Sequence, residues 1–373
     1  MSAYLDHAAS SPLRPEALDA MLPWFSERHA NPTASHRRGR RARQALDEAR
    51  EVLAVATGFE RGDVVFTGGG TESDNLGVGR GRPAGSIIVS AIEHPAVLEP
   101  ALAQQAHVVQ VDSNGLVDVA DVATYFDSTT EVVSIMTVNN ETGARQPISA
   151  IAELAHRLAP DALVHSDAVQ ALPWIDLPTD TAGVDMLSIT GHKIGGPQGV
   201  GAVVVRDGSM PPPLLVGGGQ ERDRRAGTQN VAGIVGFAAA VQASMDDRDD
   251  RLARIDRLAT QLLDGLTSSI DGLRPTIDRS VRVPGIVHVC IPGLQSEPLL
   301  FLLDEQDLAC SAASSCASGA QGASHVLDAM GVDASTTAPL RLSLGWSTTG
   351  ADIDIALQLI PAAVEKLRGT RNG

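Results

Sequence analysis

The folds open to this chain are limited most by an alternation that persists from residue 64 to residue 206. Short β-rich runs, VVFT (64–67), SIIVSA (86–91), VVSIMTV (132–138), ALVHS (162–166), DMLSIT (185–190) and GAVVVR (201–206), alternate with longer stretches of helical pattern. Such alternation predicts α/β crossovers and a mostly parallel sheet. At 373 residues the chain exceeds what one core usually supports, so a second domain is expected. Near residues 245–258 the character changes to the charged helical stretch MDDRDDRLARIDRL. A smaller α+β pattern follows, with a strand at GIVHVCI, a helix at SEPLLFLLDE, a Ser/Ala/Gly-rich loop at 311–323, a strand at LRLSLG and a closing helix from about Asp352 to Leu367. No repeat of fixed period is present, and the Pro/Gly-rich segment 211–230 reads as a long loop.

The formal net charge of -16 repels phosphate backbones and anionic lipid surfaces, which argues against direct nucleic-acid or membrane binding. Arg37, Arg38, Arg40, Arg41 and Arg43 form a local exception. They open a stretch in which Ala42, Leu46, Ala49 and Leu53 recur at helical spacing, so they read as a solvated helix face, with an anion-docking role as the alternative. There is no cationic start followed by an apolar run, and no apolar stretch of membrane-spanning length. Three cysteines are too few and too odd in number for a disulfide framework. These features together lead us to expect a cytoplasmic protein.

Several polar groups fall just beyond apolar strands, the place where open α/β sheets bind ligands. Gly68, Gly69, Gly70 and Thr71 follow VVFT and lead into a helical pattern, an arrangement that offers backbone N–H groups and a hydroxyl to an anion; a plain tight turn is the alternative. Asp167 follows ALVHS and could equally be a helix cap. Lys193 follows DMLSIT within Thr190-Gly191-His192-Lys193, where a desolvated amine suits covalent chemistry with a carbonyl, although single lysines are more often surface groups. An amine, an anion cup and a carboxylate together are what a pyridoxal phosphate site requires. Cys290 and Cys310 lie in apolar strand-like contexts and read as structural. Cys316 lies among small residues, SAASSCASGAQGAS, where a thiol on a mobile loop could enter and leave a site; an exposed cysteine without a role is the alternative. No metal-ligand spacing is expected to matter.

With these residues assembled, the chain resembles the cysteine desulfurases of the NifS/IscS-like class, in the aminotransferase fold (fold type I) of pyridoxal phosphate enzymes. The resemblance runs over nearly the whole chain, through YLDHAAS, NPTASH (31–36), FTGGGTESDN (66–75), EHPAVL (93–98), VNNETG (138–143), HSDAVQ (165–170), TGHK (190–193), GGGQE (217–221), RRAGT (224–228), SSCAS (314–318) and LRLSLG (339–344). It implies a large cofactor-binding domain at 14–250, and a small domain of 1–13 plus 251–373 that carries the catalytic-cysteine loop.

By the same resemblance Lys193 would hold pyridoxal 5'-phosphate covalently and later move the substrate's Cα proton. His94 would stack on the pyridine ring and assist with protons, Asp167 would pair with the ring nitrogen, and Gln170 with the phenolic oxygen. Gly70, Thr71, Thr190 and His192 would hold the phosphate, joined by Thr228 from the second subunit of a homodimer. Asn140 and Arg341 would bind the carboxylate of L-cysteine, the arginine through its paired N–H geometry. Cys316 would take the sulfur as a persulfide, release alanine and pass the sulfur to an acceptor, as in iron-sulfur cluster assembly or tRNA thiolation. A free thiol titrates near about 8.5, so the site should favour the thiolate. Thr190 stands where the class usually has serine and keeps the hydroxyl. A selenocysteine lyase or an aminotransferase of the same fold is the alternative enzyme, though an aminotransferase has no need of Cys316. A non-catalytic dimeric docking scaffold is the alternative outside enzymes.

Overall fold

The computed structural model describes residues 2–79, 86–206, 209, 212–312 and 324–371. Twelve strands lie among the described residues: β1 (Ala3–Tyr4), β2 (Val64–Thr67), β3 (Ser86–Ser90), β4 (His107–Val109), β5 (Thr130–Ser134), β6 (Leu163–Asp167), β7 (Met186–Thr190), β8 (Gly201–Val205), β9 (Arg274–Pro275), β10 (Ile286–Pro292), β11 (Leu308–Ala309) and β12 (Thr337–Ser343). Seven form one sheet in the order β2-β8-β7-β6-β5-β3-β4. The five from β7 to β4 run parallel, whereas β8 is antiparallel to both β7 and β2. Because β8 reverses direction between them, β2 ends on the same edge as β6 and β7. That edge gathers Gly68–Thr71, Asp167 and Thr190 in one place.

β6 and β7 are buried along nearly their whole length, as expected of strands covered on both faces by crossover helices. The helix Arg37–Thr57 buries Ala42, Leu46, Ala49 and Leu53, the positions its spacing predicted, and leaves the five arginines exposed. Its entry is capped by His36, whose Nδ1 accepts the Gly39 N–H at 3.1 Å, and it ends at Gly58 with φ 76, a backbone that glycine adopts without a side-chain penalty.

A second sheet, β12-β10-β9, is antiparallel, and the short parallel pair β1 and β11 lies beside it. The N-terminal segment is wedged between these elements. The Leu5 N–H donates to the Ala309 carbonyl at 2.9 Å, and the Leu5 carbonyl accepts from the Ser343 N–H at 2.8 Å.

Two differences from the sequence reading have local causes. The run read as a strand at 132–138 is regular strand only to Ser134; Ile135 and Thr137 still donate to the His165 and Asp167 carbonyls at 3.3 and 2.8 Å, and the chain turns away at Asn139, whose side chain accepts the Glu141 and Thr142 amides at 3.0 and 2.9 Å. β4, only three residues long, is too short to show a period and was not anticipated.

Candidate active site

A cavity of about 420 Å³ opens at the sheet edge described above. Gly70, Thr71, His94 and Asn140 line one part of it, and Asp167, Gln170, Thr190, His192, Lys193 and Arg341 the rest. The structure thus brings together residues from six separate stretches of chain. Thr228 is not among them; it is exposed in the loop that precedes the helix Val231–Asp246. Cys316 lies outside the described residues, as does most of the loop 311–323.

The Lys193 amine donates to the carbonyls of Ala8 and Ala9 at 2.6 and 3.0 Å, and Gln170 Nε2 donates to the same Ala8 carbonyl at 2.7 Å. Asp167 is the last residue of β6, and its Oδ1 accepts the Val169 N–H at 2.8 Å. Burial pushes its carboxyl up to about 6, with the Val169 amide and the Lys193 charge working in the other direction.

His94 caps the helix Pro95–Leu102, its Nδ1 accepting the Ala96 N–H at 3.1 Å. That bond fixes the tautomer with the proton on Nε2. Burial, then the charges of Lys193 and His325, lower its titration to about 4, so the ring is neutral at physiological pH. His192 is lowered to about 4 as well, by burial and then by Lys193. Thr190 gives its hydroxyl to the Val200 carbonyl at 3.1 Å.

The helix Gly70–Gly77 starts at the cavity wall. Its first amides have no intrahelical acceptor and its dipole favours an anion there. A Cβ on Gly70 would come within 2.9 Å of Val169 Cγ2, so the backbone approaches the site only because this residue has no side chain. Nearby, Arg225 grips Glu72 through Nε and Nη2 at 2.8 and 3.1 Å.

Sequence reasoning missed the acids beneath this surface. Asp74 lines the same cavity; its Oδ1 has no hydrogen-bond partner among the described residues, and burial, followed by the Asp167 charge, raises its carboxyl well above the usual range. Glu93, next to His94, is fully buried, with Oε1 accepting from Ser90 Oγ at 2.5 Å and the Met136 N–H at 2.9 Å. Both acids sit inside motifs already singled out, but nothing in their spacing says that they face inward. The N-terminal carbonyls were missed because backbone groups leave no mark on a sequence.

Arg341 projects from β12 into the same cavity. Its Nη1 donates to the Asn140 carbonyl and its Nη2 to Asp6 Oδ1, each at 2.9 Å, while its buried Nε has no partner among the described residues. Cys290 and Cys310 are only partly buried; burial raises both thiols, that of Cys310 to about 12.

This donor set fits pyridoxal phosphate. It offers an amine, a buried carboxylate, a neutral imidazole and an anion-favouring helix start around one cavity of suitable size.

Residues 3–356 match the aminotransferase class-V family. A cysteine desulfurase IscS of Dictyoglomus turgidum is 36% identical over 98% of this chain and 95% of its own length. An IscS-like cysteine desulfurase of Mycobacterium tuberculosis is 39% identical over 98% of this chain and 97% of its own. The solved structure of a NifS-like protein superposes with a TM-score of 0.90 at 32% identity, covering 98% of this chain and all of the other.

Proposed function

Since the chain belongs to the aminotransferase class-V family and is a pyridoxal-phosphate-dependent cysteine desulfurase, we propose that it moves the sulfur of L-cysteine onto its own Cys316. The observation that carries this reading is the convergence of Lys193, Asp167, His94 and Arg341 on one cavity beside a helix start. When bound, pyridoxal phosphate supplies a protonated aromatic ring that takes up the electrons left at the substrate's Cα.

The chain's own groups do the rest. Lys193 would hold the cofactor covalently and afterwards carry the Cα proton at Nζ. Asp167 would keep the ring nitrogen protonated, Gln170 would serve the phenolic oxygen and neutral His94 would cover the ring. Gly70, Thr71, Thr190 and His192 would hold the phosphate; Thr190 would release Val200 or share its bond to do so. Asn140 and Arg341 bind the cysteine carboxylate. The Cys316 thiolate attacks the substrate sulfur, a sulfur–sulfur bond forms as the sulfur–Cβ bond breaks, and the departing carbon takes a proton to become alanine. The sulfur then passes from Cys316 to an acceptor protein in a reducing compartment such as the cytoplasm.

In the same proposal the functional unit is a homodimer, with Thr228 reaching the phosphate of the neighbouring site. Its exposure in this chain leaves it available for that role. Residues 14–250 serve as the cofactor-binding portion and residues 1–13 with 251–373 as the smaller portion. The seven-stranded and three-stranded sheets fall on opposite sides of that division.

The test is to incubate the holoenzyme with L-cysteine and a thiol reductant, quantifying alanine and sulfide for wild type and Cys316→Ala. Equal amounts of both products from wild type, with at least a hundredfold loss in the variant, is the expected result. Full alanine formation by the variant would overturn the role of Cys316, and turnover of selenocysteine alone would favour a selenocysteine lyase.

A further inference from the structure

We propose that Asp6 is the positioning residue of the substrate-carboxylate site: it aims Arg341 and, by its charge, limits how tightly that arginine grips a carboxylate, so that alanine can leave. The inference rests on the reading of Arg341 as the carboxylate-binding group.

Asp6 is held rigidly. Its backbone bridges Ser343 in parallel, its carbonyl accepts the Ala9 and Ser10 amides at 3.0 and 3.3 Å, and the Tyr4 hydroxyl donates to the same carbonyl at 3.3 Å. From this turn the carboxylate meets Nη2 of an arginine whose side chain is 3% exposed. A guanidinium has five N–H groups. Among the described residues one goes to Asn140 and one to Asp6, and Nε has no partner there, so three are left for a ligand. Three N–H groups suffice for a paired contact with an incoming carboxylate, and their direction is set by the two that are already engaged.

The bound carboxylate then shares one cation with Asp6. The two anions repel each other across a partly buried site, where charge interactions are several times stronger than in water. Substrate and product carry the same carboxylate, so this repulsion weakens both. An arginine that kept its aim but lost the Asp6 charge would bind cysteine more tightly and release alanine more slowly.

The experiment compares wild type, Asp6→Asn, Asp6→Ala and Arg341→Ala as holoenzymes matched for cofactor occupancy by absorbance. KM for cysteine, kcat, inhibition by alanine and thermal midpoint are measured, together with alanine binding by calorimetry. Asparagine keeps an oxygen acceptor for Nη2 and removes the charge, so Asp6→Asn should bind alanine and cysteine about tenfold more tightly without a gain in kcat. Asp6→Ala removes the aim as well and should raise KM. A purely structural ion pair would lower the thermal midpoint in both variants and leave alanine affinity unchanged or weakened in both. That result overturns the proposal, as does equal alanine affinity in wild type and Asp6→Asn while Arg341→Ala has lost it. If Arg341→Ala leaves cysteine KM and alanine affinity unchanged, the carboxylate-site reading itself fails, and the proposal with it.

Discussion

Glu93 shows what burial does to a carboxyl that no cation answers. Fully enclosed, it is pushed up to about 8 against an ordinary 4.5, with hydrogen bonds from Ser90 and Met136 opposing the shift only in part. The folded chain therefore keeps a proton here that the unfolded chain loses from about pH 4.5 upward. The stability this confers is full below that pH and is lost as pH rises through about 8. Glu93→Gln keeps an oxygen for both donors and cannot ionise. Urea unfolding of the apo chain at pH 5.5 and 8.5 should show the variant gaining on wild type by about 2–3 kcal/mol between the two; a gap independent of pH would refute this. Legibility at this scale follows chemistry that has a local signature. Lys193 and Asp167 stand at strand ends among glycines or polar neighbours and could be read, whereas Asp74 lies mid-helix and Glu93 follows an apolar strand. Which way such acids point is decided by packing, not by spacing.

Among elements, the loop 212–230 is tied to the core through one buried carboxylate, Glu221. Its short turn Gln220–Asp223 holds Glu221, Arg222 and Asp223 at φ 47, 58 and 63, a left-handed backbone that non-glycine residues resist. The turn persists because Glu221 is fixed by Arg50, whose Nη1 and Nη2 meet its two carboxylate oxygens at 2.8 and 2.7 Å with both side chains buried. Phe66 N–H and Gln229 Nε2 supply the remaining bonds. Arg50→Ala leaves that carboxylate buried without a cation and should cost about 3–5 kcal/mol, read as a lower urea midpoint. A loss within 1 kcal/mol would mean that the loop does not rely on this pair. The helix Arg37–Thr57 was legible from Ala42, Leu46, Ala49 and Leu53. That Arg50, unlike its five exposed neighbours, turns inward was not, because its partner lies 171 residues away.

For the whole molecule, the proposed dimer makes a complementation test possible. Lys193→Ala and Thr228→Ala each spoil a different protomer's contribution, so a mixed dimer contains one site with its own lysine and an intact threonine from across the interface. Co-refolding the two variants should restore cofactor affinity and desulfuration in up to half the sites of each mixed dimer. Recovery no greater than the sum of the two separate variants would place Thr228 in its own protomer's site, or nowhere near one. The sheet order was legible only as far as parallel crossovers go. The reversal at β8, which brings β2 round to the productive edge, is a matter of topology that no run of residues encodes. The wedge formed by the first ten residues also bears on how the molecule is made. Asp6 leaves the ribosome 335 positions ahead of its partner Arg341. The Ala8 and Ala9 carbonyls likewise wait for Lys193. The pocket therefore cannot close until β12 has been made. Cofactor capture and the onset of activity wait for β12, and a nascent chain stalled before it would display an open, unfinished edge to whatever chaperone is at hand.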